Sequence, residues 1–164
     1  MASYTAQTFQ GNPEALRLGP ASITYGTRNL GYTLNDSVSI QIDQESTEIQ
    51  PDQASLPLKD IITGMNLNVT MTLGEVTSEN INMLPGFENG VLKDPIGTDL
   101  FSTSKALIVC PLSSADSNMY IFPKASPMMS GPMAFARETP QGLELTFKCY
   151  FDSSDGAMQV ASKS

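Results

Sequence analysis

The chain has 164 residues, enough for one domain whose core needs neither disulfides nor a metal to hold it. Nine Lys and Arg against seventeen Asp and Glu give a formal charge of −8, which argues against simple nucleic-acid binding, where cationic side chains neutralise phosphates. With no His at all, the usual general base, the Ser-His and Cys-His nucleophile pairs and the commonest transition-metal ligand are missing, so no catalytic role is expected.

The opening MASYTAQTFQ has no basic stretch followed by an apolar run, so no secretory leader is expected, and no window approaches a membrane-spanning length of apolar residues. ASITY, after Gly19-Pro20, reads as a first strand. GTRNLGYT (26–33) has the glycine spacing of a phosphate-binding loop, but Tyr32 stands where the phosphate-binding Lys belongs, and it reads as a Gly-rich turn. SVSIQID then alternates, with Val38, Ile40 and Ile42 on one face and Ser37, Ser39, Gln41 and Asp43 on the other.

Residues 44–64 are expected to form a long polar excursion, because they are acidic and carry Pro51 and Pro57. From Asp36 to Leu58 there are five acids (Asp36, Asp43, Glu45, Glu48, Asp52) and no base. This run reads either as a solvated face or as a surface with a task. MNLNVTMTL places Met65, Leu67, Val69, Met71 and Leu73 opposite Asn66, Asn68, Thr70 and Thr72, the pattern of a half-buried antiparallel strand. TSENINML is the best helix, with Thr77 or Ser78 as N-cap and Pro85-Gly86 as its stop.

Turns are expected at Asn89-Gly90, Asp94-Pro95, Gly131-Pro132, Pro140-Gln141-Gly142 and Asp155-Gly156. STSK (102–105) matches a Ser-x-x-Lys acyl-enzyme motif, but its companion motifs are missing and its Lys opens a strand, so chance explains it. KALIVCPL and MYIFP read as buried strands ended by Pro111 and Pro123. Residues 123–140, rich in Pro and carrying Met128, Met129 and Met133, fit either core-edge packing or a subunit contact. LELTFKCYF sets Leu143, Leu145, Phe147, Cys149 and Phe151 on one face. Cys110 and Cys149 read as buried free thiols, with a bridge between adjacent strands as the lesser alternative. The sum is an all-β sandwich or barrel of mostly antiparallel strands with one short flanking helix, occupying 1–164 as one domain.

Three stretches, LRLGPASITYGTRNLGYT, VSIQIDQESTEIQPDQ and DIITGMNLNVTMTLGEVTSENINML, together resemble the tail-tube (major tail) proteins of bacteriophages, relatives of type VI secretion tube proteins. The resemblance covers about Leu16 to Pro85. It implies a structural virion protein, assembled in the host cytoplasm, whose copies form stacked, hexameric rings around a channel for the genome. The partners implied are other copies of the chain, further tail proteins and a sheath in contractile tails, with DNA passing through unbound and no cofactor. Asp43, Glu45 and Glu48 are candidate lumen or assembly acids. Residues 1–15 and the 44–64 excursion, in particular Gln50, Pro51, Asp52, Leu56 and Leu58, are candidate subunit or ring contacts, with Met128 and Met129. A hexameric ring would carry a charge of roughly −48, which repels DNA from an acidic bore. The alternatives are a monomeric β-sandwich module that binds sugars or peptides, or another β-rich virion component such as a tail terminator or decoration protein.

Overall fold

The computed structural model describes residues 3, 20–34, 37–112, 118–133, 135, 137 and 142–163. The mostly antiparallel β architecture with one short helix is what the period-2 patterning predicts. Strands β1 (Ala21–Tyr25), β2 (Arg28–Asn29), β3 (Ser39–Ile49), β4 (Lys59–Leu73), β7 (Lys105–Pro111), β8 (Asn118–Met129) and β9 (Leu143–Cys149) form one sheet in the order β2-β1-β7-β8-β9-β4-β3. A further strand, β10 (Gln159–Ser162), pairs with the first half of β8, and β9 takes the second half. The small hairpin β5 (Phe87–Glu88) and β6 (Val91–Leu92) stands apart. Its turn is Asn89-Gly90, both at positive φ, as a type I′ turn requires.

The sheet curls so that one face becomes a common interior. Ile23 and Tyr25 of β1, Leu107 and Val109 of β7, Phe122 of β8, Leu145 and Phe147 of β9 and Val69 and Met71 of β4 are buried together. The Tyr25 and Phe147 rings meet at 5.2 Å, and the Tyr25 hydroxyl donates to the Ala125 carbonyl at 3.0 Å, tying β1 across to β8 and β9. Residues 32–34 bridge to the end of β4 through the Thr33–Leu73 pair, so the sheet folds over without closing into a barrel.

Helix α1 (Ser78–Asn82) follows β4, with Thr77 as its N-cap accepting from the Asn80 N–H. Leu84 seals its end against the core. Asn80 is buried, and its amide donates to the carbonyls of Leu30 and Glu75 while its Oδ1 accepts from the Arg28 guanidinium. This one side chain joins the helix to the β1–β2 hairpin.

Several details depart from the sequence reading. Residues 44–49 and 59–64 are strand, so the expected 44–64 excursion shrinks to a loop over 50–58. Pro123 does not end its strand, because β8 runs on through Pro127 to Met129. The ladder with β7 shifts register there, from Leu107–Phe122 to Lys105–Ala125, and the added residue in β8 lets the strand pass a proline. Phe151, expected on the inner face, is 71% exposed because β9 ends at Cys149. Cys149 is buried as expected, but Cys110 is only half-buried, on the opposite face of β7 from Leu107 and Val109.

Candidate functional site

The β3–β4 hairpin extends well beyond the sheet. Its inner half, Ser39–Asp43 against Asn66–Thr70, belongs to the sheet. Its outer half continues as a free two-stranded arm from Asp43–Asn66 to Ile49–Lys59, roughly 25 Å long at the usual rise per residue. Every residue from Gln41 to Gln50 is exposed, as are those from Ser55 to Thr63. An arm that projects this far has no core of its own, and an isolated two-stranded hairpin is at best marginally stable in water.

The arm nevertheless carries large apolar side chains. Leu56 and Leu58 in the loop are 73% and 71% exposed, Ile62 is 62% exposed, and Ile42, Ile49, Ile61 and Met65 are each about half exposed. A bulge explains their distribution. Glu45 pairs with Gly64 and Ser46 with Ile62, so Thr63 is an added residue and the phase of β4 flips beyond it. Ile42, Met65 and Ile62 therefore continue the core-side face, whereas Ile49 and Ile61 lie on the outer face. An arm with apolar groups on both faces needs cover on both faces.

The same register sorts the predicted acids. Asp43 and Glu45 share the outer face, where Asp43 accepts from the Gln41 amide at 3.1 Å. Glu48 falls on the other face, cross-strand from Asp60, so the structure separates it from the first two. Gln50, Pro51, Asp52, Leu56 and Leu58 all lie in the arm's loop, where Gln50 donates to the Ala54 carbonyl. Met128 and Met129 lie at the far end of β8, 47% and 38% exposed, apart from the arm. The proposed contact segment 1–15 lies outside the described residues apart from Ser3, and so do Asp36 and the turn at Pro140-Gln141.

Behind the arm, the outer face of β8-β9-β4-β3 is polar. Cross-strand rows run Met128–Thr146–Thr70–Ser39 and Lys148–Asn68–Gln41, and Glu144 lies beside Thr72. Ser39 and Thr70 share a hydroxyl hydrogen bond. Glu144 and Lys148 offset each other on this face, and Asp43 and Glu45 continue it onto the arm, so the surface is wet and only mildly acidic.

An open cavity of about 440 Å³ lies between the β1–β2 turn, the start of β7 and α1. Tyr25, Gly26, Arg28, Glu79, Met83 and Lys105 line it. Gly26 has φ +66°, and a Cβ there would approach the Lys105 stem at 3.2 Å. The Lys105 ammonium lies 6.0 Å from the centre of the Tyr25 ring, and burial of that ring raises the Tyr25 phenol above its ordinary pKa. The hydroxyl of Ser102, the other end of the Ser-x-x-Lys motif, donates to the Asp99 carbonyl at 2.9 Å. Sequence reasoning missed this cavity because Arg28 and Lys105 are far apart along the chain, and it missed the apolar arm because it read these residues as loop.

No family model matches the chain, and no curated protein is similar to it in sequence. Among solved structures it is similar to the tube-terminating cap of the anti-feeding prophage, at TM-score 0.53 and 10% identity. The match spans 98% of this chain and 97% of that one, so the two share a fold along their whole length.

Proposed function

We propose that this protein is a self-assembling structural subunit of a phage-like tail tube. Copies join side by side into rings, hexameric as the tail-tube resemblance implies, and the rings stack into a conduit for the genome. The observation that carries this reading is the β3–β4 arm, which presents apolar side chains on both faces that nothing among the described residues covers. Exposed apolar patches rimmed by polar residues are interaction surfaces, and identical copies closing around an axis can cover such an arm on both sides. The whole-length likeness to a tube-terminating cap supports a tail assembly as the setting.

In this reading the polar face of β8-β9-β4-β3 lines the bore. Its hydroxyls and amides hold a water layer, and its few charges give DNA phosphates no cationic surface to grip. Asp43, Glu45 and Glu144 make the bore mildly repulsive, a weaker field than the whole-chain charge implies. Other tail proteins, and a sheath if the tail contracts, would bind outside the rings. Assembly in the host cytoplasm and residence in the virion follow from the same reading.

Negative-stain electron microscopy of the pure protein, together with sedimentation, tests it. Rings or tubes are expected; a monomer across salt and concentration would overturn it. The cap likeness favours one second reading, a terminator that forms a single closing ring at the tube's end. Isolated rings that never stack, yet bind the ends of preformed tubes, would select it.

A further inference from the structure

We propose that the cavity between Arg28 and Lys105 is the socket for the acidic arm of the next copy along the tube axis. This rests on the tube reading above and adds the partner surface that the arm engages. The first observation is charge. In a chain of net charge −8, Arg28 and Lys105 converge on one cavity. The guanidinium donates to Asn80 Oδ1 and to the Glu79 carbonyl, and the ammonium faces the Tyr25 ring, but neither pairs with a carboxylate among the described residues. Glu79, on the cavity rim, leaves a net positive charge of one.

The arm is the complement. Asp43, Glu45, Glu48, Asp52 and Asp60 are set against the single cation Lys59, all exposed, and none forms an ion pair among the described residues. Position is the second observation. Strand β4 runs from the arm's loop at Lys59 to Leu73, and α1, which forms one wall of the cavity, begins at Ser78 after a four-residue link. The acids therefore stand on the β3–β4 loop and its flanks, and the two cations on β2 and the start of β7 against α1, so the two surfaces come from different parts of the chain. A surface that complements a different surface on the same chain makes a heterologous contact, the kind that propagates from copy to copy. Loop carboxylates of one copy, led by Glu48, Asp52 and Asp60, enter the next copy's cavity, and Leu56 and Leu58 pack beside them against the Met83 side chain.

Two full-length variants test this. Lys105→Glu reverses the cavity's sign while leaving Arg28 to hold Asn80. Glu48→Lys, Asp52→Lys and Asp60→Lys together reverse the arm. Circular dichroism and urea titration first establish that both fold. Each variant alone sets like charge against like, and its critical concentration for tube elongation should rise at least about tenfold. Mixed one to one, each variant's arm meets the other's cavity, and elongation should return as a copolymer of both. Tubes of normal length from either variant alone, or no recovery in the mixture, would overturn the contact and leave the tube reading intact. A wild-type chain that stays monomeric would overturn both.

Discussion

The arm can be removed without touching the core, which makes its role measurable. Replacing residues 46–63 by an Asn-Gly turn closes the hairpin at the Glu45–Gly64 pair and deletes Ile49, Leu56, Leu58, Ile61 and Ile62. Fully burying an aliphatic side chain yields about 1.5–3 kcal/mol, and these five are 43–73% exposed. Covering them in an assembly is therefore worth roughly 5–8 kcal/mol per arm. Association itself costs about 4–15 kcal/mol, so one covered arm is close to break-even and assembly needs every such contact. The truncated chain should stay monomeric in sedimentation velocity at concentrations where the full chain assembles. Its urea unfolding free energy should change by no more than about 0.5 kcal/mol, because none of the deleted side chains is buried. Rings formed at the wild-type concentration would refute the reasoning, and so would a loss of several kcal/mol in stability, which would mean the arm belongs to the fold.

Four further outcomes are expected. Asn80→Leu leaves the Arg28 guanidinium and the Leu30 and Glu75 carbonyls without their partner, and should cost about 2–4 kcal/mol in chemical unfolding. Burial pushes the Cys149 thiol up to about 12, so the folded state keeps a proton that the unfolded chain releases from roughly pH 8.5. Stability should thus be full below that pH and fall as pH rises towards 12, Tyr25 contributing in the same direction, and Cys149→Ala should flatten the fall. In the native protein a thiol reagent should label half-buried Cys110 well before Cys149, as mass spectrometry of timed quenches would read. Asp43→Lys with Glu45→Lys should slow genome passage in virions more than Glu48→Lys alone, because only the first two share the polar face; equal infectivity would count against that face lining the bore.

Strands with one buried face were legible because burial writes itself as alternation. Leu67, Val69, Met71 and Leu73, or Leu143, Leu145 and Phe147, identify their strands and their inward side without any structure. The capped helix was equally plain in Thr77 and Pro85. The arm was not, for two physical reasons. A strand solvated on both faces has no obligation to alternate, and the added residue at Thr63 breaks what alternation there is, leaving Ile61 and Ile62 adjacent but on opposite faces. Two neighbouring β-branched residues just before a glycine, in a segment otherwise too polar for a core, were the available signal. The proline in β8 misled in the same way, since a residue that usually ends a strand is accommodated by a register shift no local pattern encodes. The cavity had no sequence signal, because its two cations meet only once β2 and β7 are placed by the fold.

The outer edge of β3 carries a consequence for the protein before it meets any partner. Among the described residues, eleven residues of edge strand leave backbone donors and acceptors unpaired along one side, the arrangement that seeds uncontrolled strand addition. Asp43, Glu45 and Glu48 stand at every second or third position of that edge, and any identical edge laid beside it brings carboxylates together. If the chain assembles as proposed, their charge would act as a guard during the interval between synthesis and assembly, keeping subunits soluble and apart until a correctly shaped neighbour arrives. Neutralising the edge would then show first as precipitation in the expressing cell, ahead of any defect in a finished tube.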